Sequence, residues 1–479
     1  MTSAPTGTTP QARAFQALLG GGLVLLPGHP GYERGRVPWN LAVDQRPAAV
    51  AVASSAADVV AVVRAATSAG LRVVPQAGGH NAGPLTGRMD DAVLLKLSGL
   101  TGVSVDSARR VVRVLGATPW ADVVDAAAAH DLAVTHGSGP DVSVVGYTLG
   151  GGLSWYARAH GLTCNQVVAA EVVLADGTLH RVHAGNEPDL FWALRGGGGN
   201  LGVVTALELA LLPVSEVFAG VLLWEGSRAR EVCRAWARWT RDLPETATTA
   251  LRLLGSPRRP DAHRLFPGRQ MVVVDGAVLG DPGAAARLIA PLRALRPSVD
   301  TFGPTPVQAV TRMHFDPELP TASVSGHTLL DSFDAAAADA LVESAGPDAP
   351  TSLLSAEVRH LGGALGRPHP GGGALDRIPG AYTAYVLAGA SSAELQQQGR
   401  ADAARAVEAL RPWSRGRRFL NFTEQPTDPG AAFAPDALER LRAVRRQVDP
   451  DGVFVANHPL EEPGALERLR ITARSRPGG

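Results

Sequence analysis

The chain has 479 residues, 45% of them hydrophobic and 19% charged, and its 45 Lys and Arg balance 45 Asp and Glu. At roughly 100–200 residues per domain this length predicts two or three globular domains, and a neutral charge balance offers no basic field to collect a polyanion, which excludes nucleic-acid binding as the main role. Cys164 and Cys233 are the only cysteines, so a disulfide framework and a cysteine-built zinc site are excluded, and both read as small buried hydrophobes.

Residues 1–15 are polar and rich in Pro and Thr and read as a frayed arm. They contain no basic run leading into an apolar stretch, and the apolar run at 23–27 is far too short to cross a bilayer, so the expected location is the cytoplasm with no membrane partner. A strand over 48–54 precedes a helix over 56–69, with Ser55 as N-cap, Asp58 as the capping-box acid and Gly70 as the stop. The next strand, 72–76, runs into the turn Ala77-Gly78-Gly79-His80-Asn81-Ala82-Gly83-Pro84. Strands follow at 92–97, 103–106 and 110–116. Thr118 is placed to N-cap a helix opened by Pro119. Glycine-rich turns continue to Gly152. Asp176-Gly177 joins two strands as a hairpin, and a helix over 188–194 precedes GGGGNLG (196–202) and a strand over 203–212. Beyond Pro213 long strands alternate with helices at 227–242, 284–295 and 334–345. Helices return from 393, with FLNF at 419–422 between them. Lys96 is the sole lysine, a bias that fits a GC-rich bacterial genome.

GGGGNLG satisfies G-x-G-x-x-G by spacing but stands between a helix and a strand. A dinucleotide fingerprint needs the opposite order, so this stretch reads as a turn. No P-loop and no H-E-x-x-H metal motif occurs, and no metal is expected. The turn 77–84 is more informative. Its glycines let successive N–H groups converge on an anion, and His80 at its tip is a nucleophilic imidazole. The stretch 146–153 has the same capacity for close backbone approach.

These pieces, with Trp39-Asn40, PDVSVVGYTLGGGLSW (140–155), DLFWALRGGGGNLGVVT (189–205), HLGGA (360–364), FLNF and DPDGVF (449–454) with Asn457, occur in the order found in one family. The chain resembles the vanillyl-alcohol-oxidase superfamily, and within it the berberine-bridge-enzyme-like FAD oxidoreductases. The resemblance implies an α+β, two-domain FAD-binding fold with an antiparallel substrate-domain sheet flanked by helices. It implies an FAD-binding domain over 16–214, a substrate-binding domain over 215–415, a segment 416–462 that returns to the FAD domain and a flexible tail at 463–479. It also implies FAD attached through its 8α-methyl to His80. The expected FAD wall is Gln76, Ala77, Gly78, Gly79, His80, Asn81, Ala82, Ser138, Gly139, Pro140, Asp141, Gly146, Gly150, Gly151, Gly152, Val203, Val204, Asn421 and Asn457.

Two departures stand out. Gly139 occupies the slot where many relatives carry a second flavin-bonding cysteine, and Cys164 lies well beyond it. Phe419 stands where many relatives place a tyrosine base, and a phenyl ring accepts no proton. A replacement base is expected on the substrate sheet. Strand alternation puts Glu357 and Arg359 on one face and His360 on the other, and gives Tyr382 and Tyr385 opposite parity. Glu357, His360, Tyr382 and Tyr385 are the candidates, led by Glu357 with its pKa raised by burial. An ion pair with Arg359 and a packed core histidine are the structural alternatives for Glu357 and His360. Tyr156 and His160 are weaker candidates, and His314 and His327 read as structural. The expected activity is hydride transfer from a small alcohol, sugar or secondary metabolite to flavin, with dioxygen as electron acceptor. Oxidative cyclisation or rearrangement in natural-product biosynthesis, and flavin binding without turnover, remain open alternatives.

Overall fold

A computed structural model describes residues 7–20, 22–255 and 270–461. The expected flexible tail at 463–479 lies outside these residues. The expected frayed arm does not hold for its second half. Pro10–Leu18 is a helix capped by Thr9, and Ala12 and Phe15 are fully buried against the first sheet. Its apolar positions fall on one face, and that burial outweighs the polar composition around them.

The first sheet contains β1 (Val24–Leu25), β2 (Ala49–Val52), β3 (Arg72–Gln76) and β4 (Ala92–Lys96), in the order β1-β2-β4-β3. β2, β4 and β3 are parallel, and helix Ala56–Ser68 crosses between β2 and β3. The capping box is present: Ser55 Oγ accepts from the Asp58 N–H at 3.1 Å and Asp58 Oδ2 accepts from the Ser55 N–H at 3.0 Å. The second sheet is antiparallel, with β5 (Val103–Asp106), β6 (Val111–Leu115), β7 (Val167–Val173), β8 (Leu179–Val182) and β9 (Val203–Ala210) ordered β5-β6-β9-β7-β8. The expected cap at Thr118 is displaced. The helix is Trp120–Ala128 with Pro119 at the N-cap, because the Thr118 hydroxyl donates to the Gly102 carbonyl at 3.1 Å instead.

The third sheet comprises β10 (Glu216–Glu225), β11 (Ala247–Gly255), β12 (Gln270–Val278), β13 (Val299–Asp300), β14 (Gly303–Pro306), β15 (Ser323–Leu330), β16 (Leu353–His360) and β17 (Tyr382–Gly389). Its order is β13-β10-β12-β11-β16-β17-β15, with β14 also on β10, and every pairing is antiparallel. Period-two alternation divides its side chains. Ala356, Val358, Tyr382, Ala384 and Val386 pack under the helices that flank one face. Glu357, Arg359, Tyr385 and Leu387 line a cavity on the other.

The C-terminal segment closes on the first region. Val73 and Phe454 form a parallel bridge. Arg445, on helix Pro435–Val448, donates to the Asn200 carbonyl at 2.6 Å and the Phe454 carbonyl at 3.0 Å.

Candidate active site

Strand β3 ends at the bottom of a cavity of about 440 Å³, and its following turn forms one wall. Gly79 has φ +89°, a conformation few other residues adopt, and this turns His80 into the wall. The His80 ring stacks on Trp39, with centroids 4.1 Å apart. Its Nε2 stands 3.3 Å from Asp141 Oδ2, which comes from the opposite loop. Burial works against the charge on Asp141, but the His80 imidazole and the Trp39 indole N–H hold its pKa below the ordinary range.

Of the expected FAD wall, Gln76 to Asn81, Ser138, Gly139, Asp141, Gly146, Gly150, Val204, Asn421 and Asn457 line the cavity. Five residues do not. Ala82 is 1% exposed and packed behind the turn. Pro140 uses its carbonyl to accept the Ala121 N–H at 2.8 Å, fixing the helix start. Val203 lies in the core between the first two sheets. Gly151 and Gly152 serve protein packing. A Cβ at Gly151 would stand 2.8 Å from the Phe419 ring, and one at Gly152 would stand 2.5 Å from Tyr147. Sequence spacing shows which glycines cluster, but not whether their bare Cα faces a ligand or a neighbour.

The wall suits a large polar group. Asn81 Oδ1 and Asn421 Oδ1 are buried in it without a protein partner. Gly146 and Gly199 border the cavity with open space where a Cβ would stand. Asn421 is itself positioned: its Nδ2 donates to the Tyr147 carbonyl at 2.9 Å. Asn81 Nδ2 donates to the Leu420 carbonyl at 3.1 Å, tying the turn to the C-terminal segment. These donors, acceptors and bare backbones fit FAD.

The four candidate bases separate by parity. Glu357 pairs with Tyr385 across β16 and β17, and both line the cavity. His360 pairs with Tyr382 on the opposite face, so neither reaches it. Their rings stack with centroids 5.1 Å apart, and the Tyr382 hydroxyl hydrogen-bonds Thr240 Oγ1 at 2.9 Å. Burial pushes the His360 pKa down to about 3. His360 and Tyr382 are core residues. Tyr156 is fully buried edge-on to His136, and neither it nor His160 lines the cavity. Burial pushes the thiols of Cys164 and Cys233 up to about 12.

Glu357 does not behave as the sequence suggests. Burial alone would raise its pKa, but the charges of Arg359 and His314 outweigh burial and hold it well below the carboxylate range. Arg359 grips it with Nε, and His314 Nε2 lies 3.5 Å from its Oε2. His314 is the hub of this buried network. Its Nδ1 meets Asp275 Oδ2 at 2.7 Å, and Arg252 Nη2 donates to the same oxygen at 2.5 Å.

The sequence reading missed Glu424. It lines the cavity, and its Oε1 accepts the Tyr385 hydroxyl hydrogen at 2.7 Å. Burial raises the Glu424 pKa, and burial with the neighbouring Glu424 carboxylate raises that of Tyr385 well above the usual value. The available signal was an acid three residues beyond Asn421 in the segment that closes the site. Phe419 also lines the cavity. His327 holds it there, accepting the Phe419 N–H at 2.9 Å while Nδ1 donates to the Ala384 carbonyl at 2.9 Å. His327 is structural, as expected, and burial pushes its pKa down to about 3.

Residues 47–183 match the FAD binding domain family. The chain is 35% identical over 188 residues to glucooligosaccharide oxidase of Sarocladium strictum, covering 39% of this chain and 38% of that protein. That sequence match therefore spans less than half of the relative's length. In structure the chain is similar to 6-hydroxy-D-nicotine oxidase from Arthrobacter nicotinovorans, with a TM-score of 0.79 at 25% identity, covering 91% of this chain and 97% of that one. It is also similar to BBE-like 1 of Physcomitrella patens, with a TM-score of 0.81 at 20% identity, covering 95% of this chain and 100% of that one, a likeness of fold. No helix among the described residues is long and apolar enough to cross a membrane. The chain therefore carries an FAD binding domain over residues 47–183 and shares, over nearly its whole length, the fold of these FAD-linked enzymes.

Proposed function

We propose that this protein oxidises a small organic alcohol or sugar by hydride transfer to FAD attached to His80, with the Tyr385–Glu424 pair receiving the proton. One observation carries the reading: a single cavity joins the glycine-rich wall bearing His80 to the buried Tyr385–Glu424 hydrogen bond. FAD supplies the two-electron acceptor, which no side chain provides. The turn 77–81, Ser138, Gly139, Gly150, Asn421 and Asn457 would hold it.

The substrate hydroxyl must lose a proton as its carbon loses hydride. Tyr385 receives that proton as its own hydrogen passes to Glu424, so neither oxygen carries an isolated charge. A carboxylate raised toward working pH suits this task, whereas one held far below it is a poor base. Glu424 therefore leads as acceptor, and Glu357 serves to hold Arg359. Arg359 lies against Trp155 and Phe422, at 5.6 and 5.2 Å from their ring centroids, and presents a cation to the substrate side of the cavity.

Dioxygen is the proposed electron acceptor and the cytoplasm the proposed location. The oxidase names of glucooligosaccharide oxidase and 6-hydroxy-D-nicotine oxidase support the former. The first of these names a sugar substrate, which favours that class here. The test is an anaerobic screen of sugars, alcohols and hydroxylated metabolites for bleaching of the flavin absorbance, followed by air. A substrate that bleaches it and yields peroxide on aeration is expected. Bleaching that air does not reverse would remove dioxygen from the scheme.

A further inference from the structure

We propose that Asp141 is the positioning residue for flavin attachment, setting the tautomer of His80 and taking its Nε2 proton as the other ring nitrogen bonds the flavin. The inference rests on the attachment at His80 proposed above. Two elements distant in sequence restrain one imidazole. Trp39 covers a ring face, with planes 19° apart, and Asp141 Oδ2 stands 3.3 Å from Nε2. The side chains of His80 and Asp141 are 28% and 21% exposed, so both are largely withdrawn from water. Among the described residues Asp141 makes no ion pair with an arginine or lysine, so His80 is its charge partner.

A neutral imidazole carries one N–H and one lone pair. A carboxylate 3.3 Å from Nε2 favours hydrogen there through its negative charge, although the two atoms make no aligned hydrogen bond. The lone pair is left on Nδ1, which becomes the nucleophile. In the attachment step the flavin 8α-carbon would lose one hydrogen as a proton to solvent, and a bond would form between that carbon and Nδ1. The Nε2 proton passes to Asp141. The electron pair of the broken C–H bond stays on the isoalloxazine ring until dioxygen takes it with two protons, leaving as hydrogen peroxide. Among the described residues Asp141 is the carboxylate paired with the His80 ring, so without it the departing Nε2 proton loses that acceptor.

The test uses full-length protein made in riboflavin-starved cells and then mixed with FAD in air. Flavin retained by acid-precipitated protein is followed over time beside total bound flavin. Asp141→Ala and Asp141→Asn are expected to bind FAD but attach it about 10²-fold more slowly, with Asp141→Glu recovering most of the rate. Attachment at the parent rate in both the Ala and Asn variants overturns the proposal. If those variants bind no FAD, the wild-type flavinyl peptide decides by NMR. A bond to Nδ1 supports the proposal, and a bond to Nε2 overturns it. A wild-type His80 peptide bearing no flavin removes the attachment reading itself, which differs from a variant that attaches at parent speed.

Discussion

Tyr385 on β17 and Glu424 in the C-terminal segment share a 2.7 Å hydrogen bond at the cavity wall, with the tyrosine as donor. The pair joins the third sheet to the segment that carries Phe419 and Asn421. In the proposed reaction the pair would carry the proton that Phe419 cannot accept.

Substitution of either partner should slow flavin reduction. Tyr385→Phe and Glu424→Gln are each expected to lower the anaerobic reduction rate by about 10²–10⁴-fold. The double variant should fall little further, because the two act as one unit. Glu424 accepts a proton only when ionised. Its pKa is raised, so the rate should climb with pH above the usual carboxylate range. Stopped-flow reduction across pH checks both points, and additive losses would separate the two residues.

Glu357 should matter more for stability than for the pH profile. Glu357→Gln leaves Arg359 buried without its paired carboxylate, while His314 keeps Asp275, at a cost of about 3–5 kcal/mol. The folded pKa is depressed, so the contribution is complete above the unfolded value of about 4.3 and is lost as pH falls through the folded one. Urea midpoints of parent and variant should therefore converge in acid. A gap that stays constant below pH 4 would contradict the ion-pair assignment.

His327 makes stability fall in acid through a different route. It is buried neutral, with one ring nitrogen donating to Ala384 and the other accepting from Phe419. Its folded pKa of about 3 lies below the unfolded value of about 6.5, so the unfolded chain binds the extra proton between them. Stability then declines as pH drops below about 6.5, by up to about 1.4 kcal/mol per pH unit for this group. His327→Gln should be less stable at neutral pH and show a shallower acid slope in denaturant titrations.

The two neighbouring glycines should respond differently to alanine. Gly151 has φ +121°, and an added Cβ would stand 2.8 Å from the Phe419 ring. Gly151→Ala is expected to lose about 1–3 kcal/mol from backbone strain alone. Gly150 has φ −84°, so its obstacle is steric only, with Asn421 Oδ1 2.1 Å from the added Cβ. Adding Asn421→Ala should restore much of the stability lost in Gly150→Ala and none of that lost in Gly151→Ala. Thermal unfolding of the four variants distinguishes the cases.

Local chemistry alone specified much of this protein. Ser55, Asp58 and Gly70 bound their helix through contacts within a few residues, so their roles are readable from spacing. The alternation along β16 separates Glu357 from His360 because neighbouring side chains on a strand point to opposite faces. The glycine run into His80 is readable as a tight turn after a strand, but spacing alone does not say whether its bare backbone faces a ligand or a neighbour. Tertiary structure decided the rest. Which sheet face meets the cavity depends on where the helices pack, and that placed His360 and Tyr382 in the core. The ionisation of Glu357 depends on Arg359 two residues on and also on His314, 43 residues away in the chain. Glu424 became a candidate only when the C-terminal segment folded back beside Tyr385, because a hydrogen bond between distant residues leaves no period or spacing in the chain.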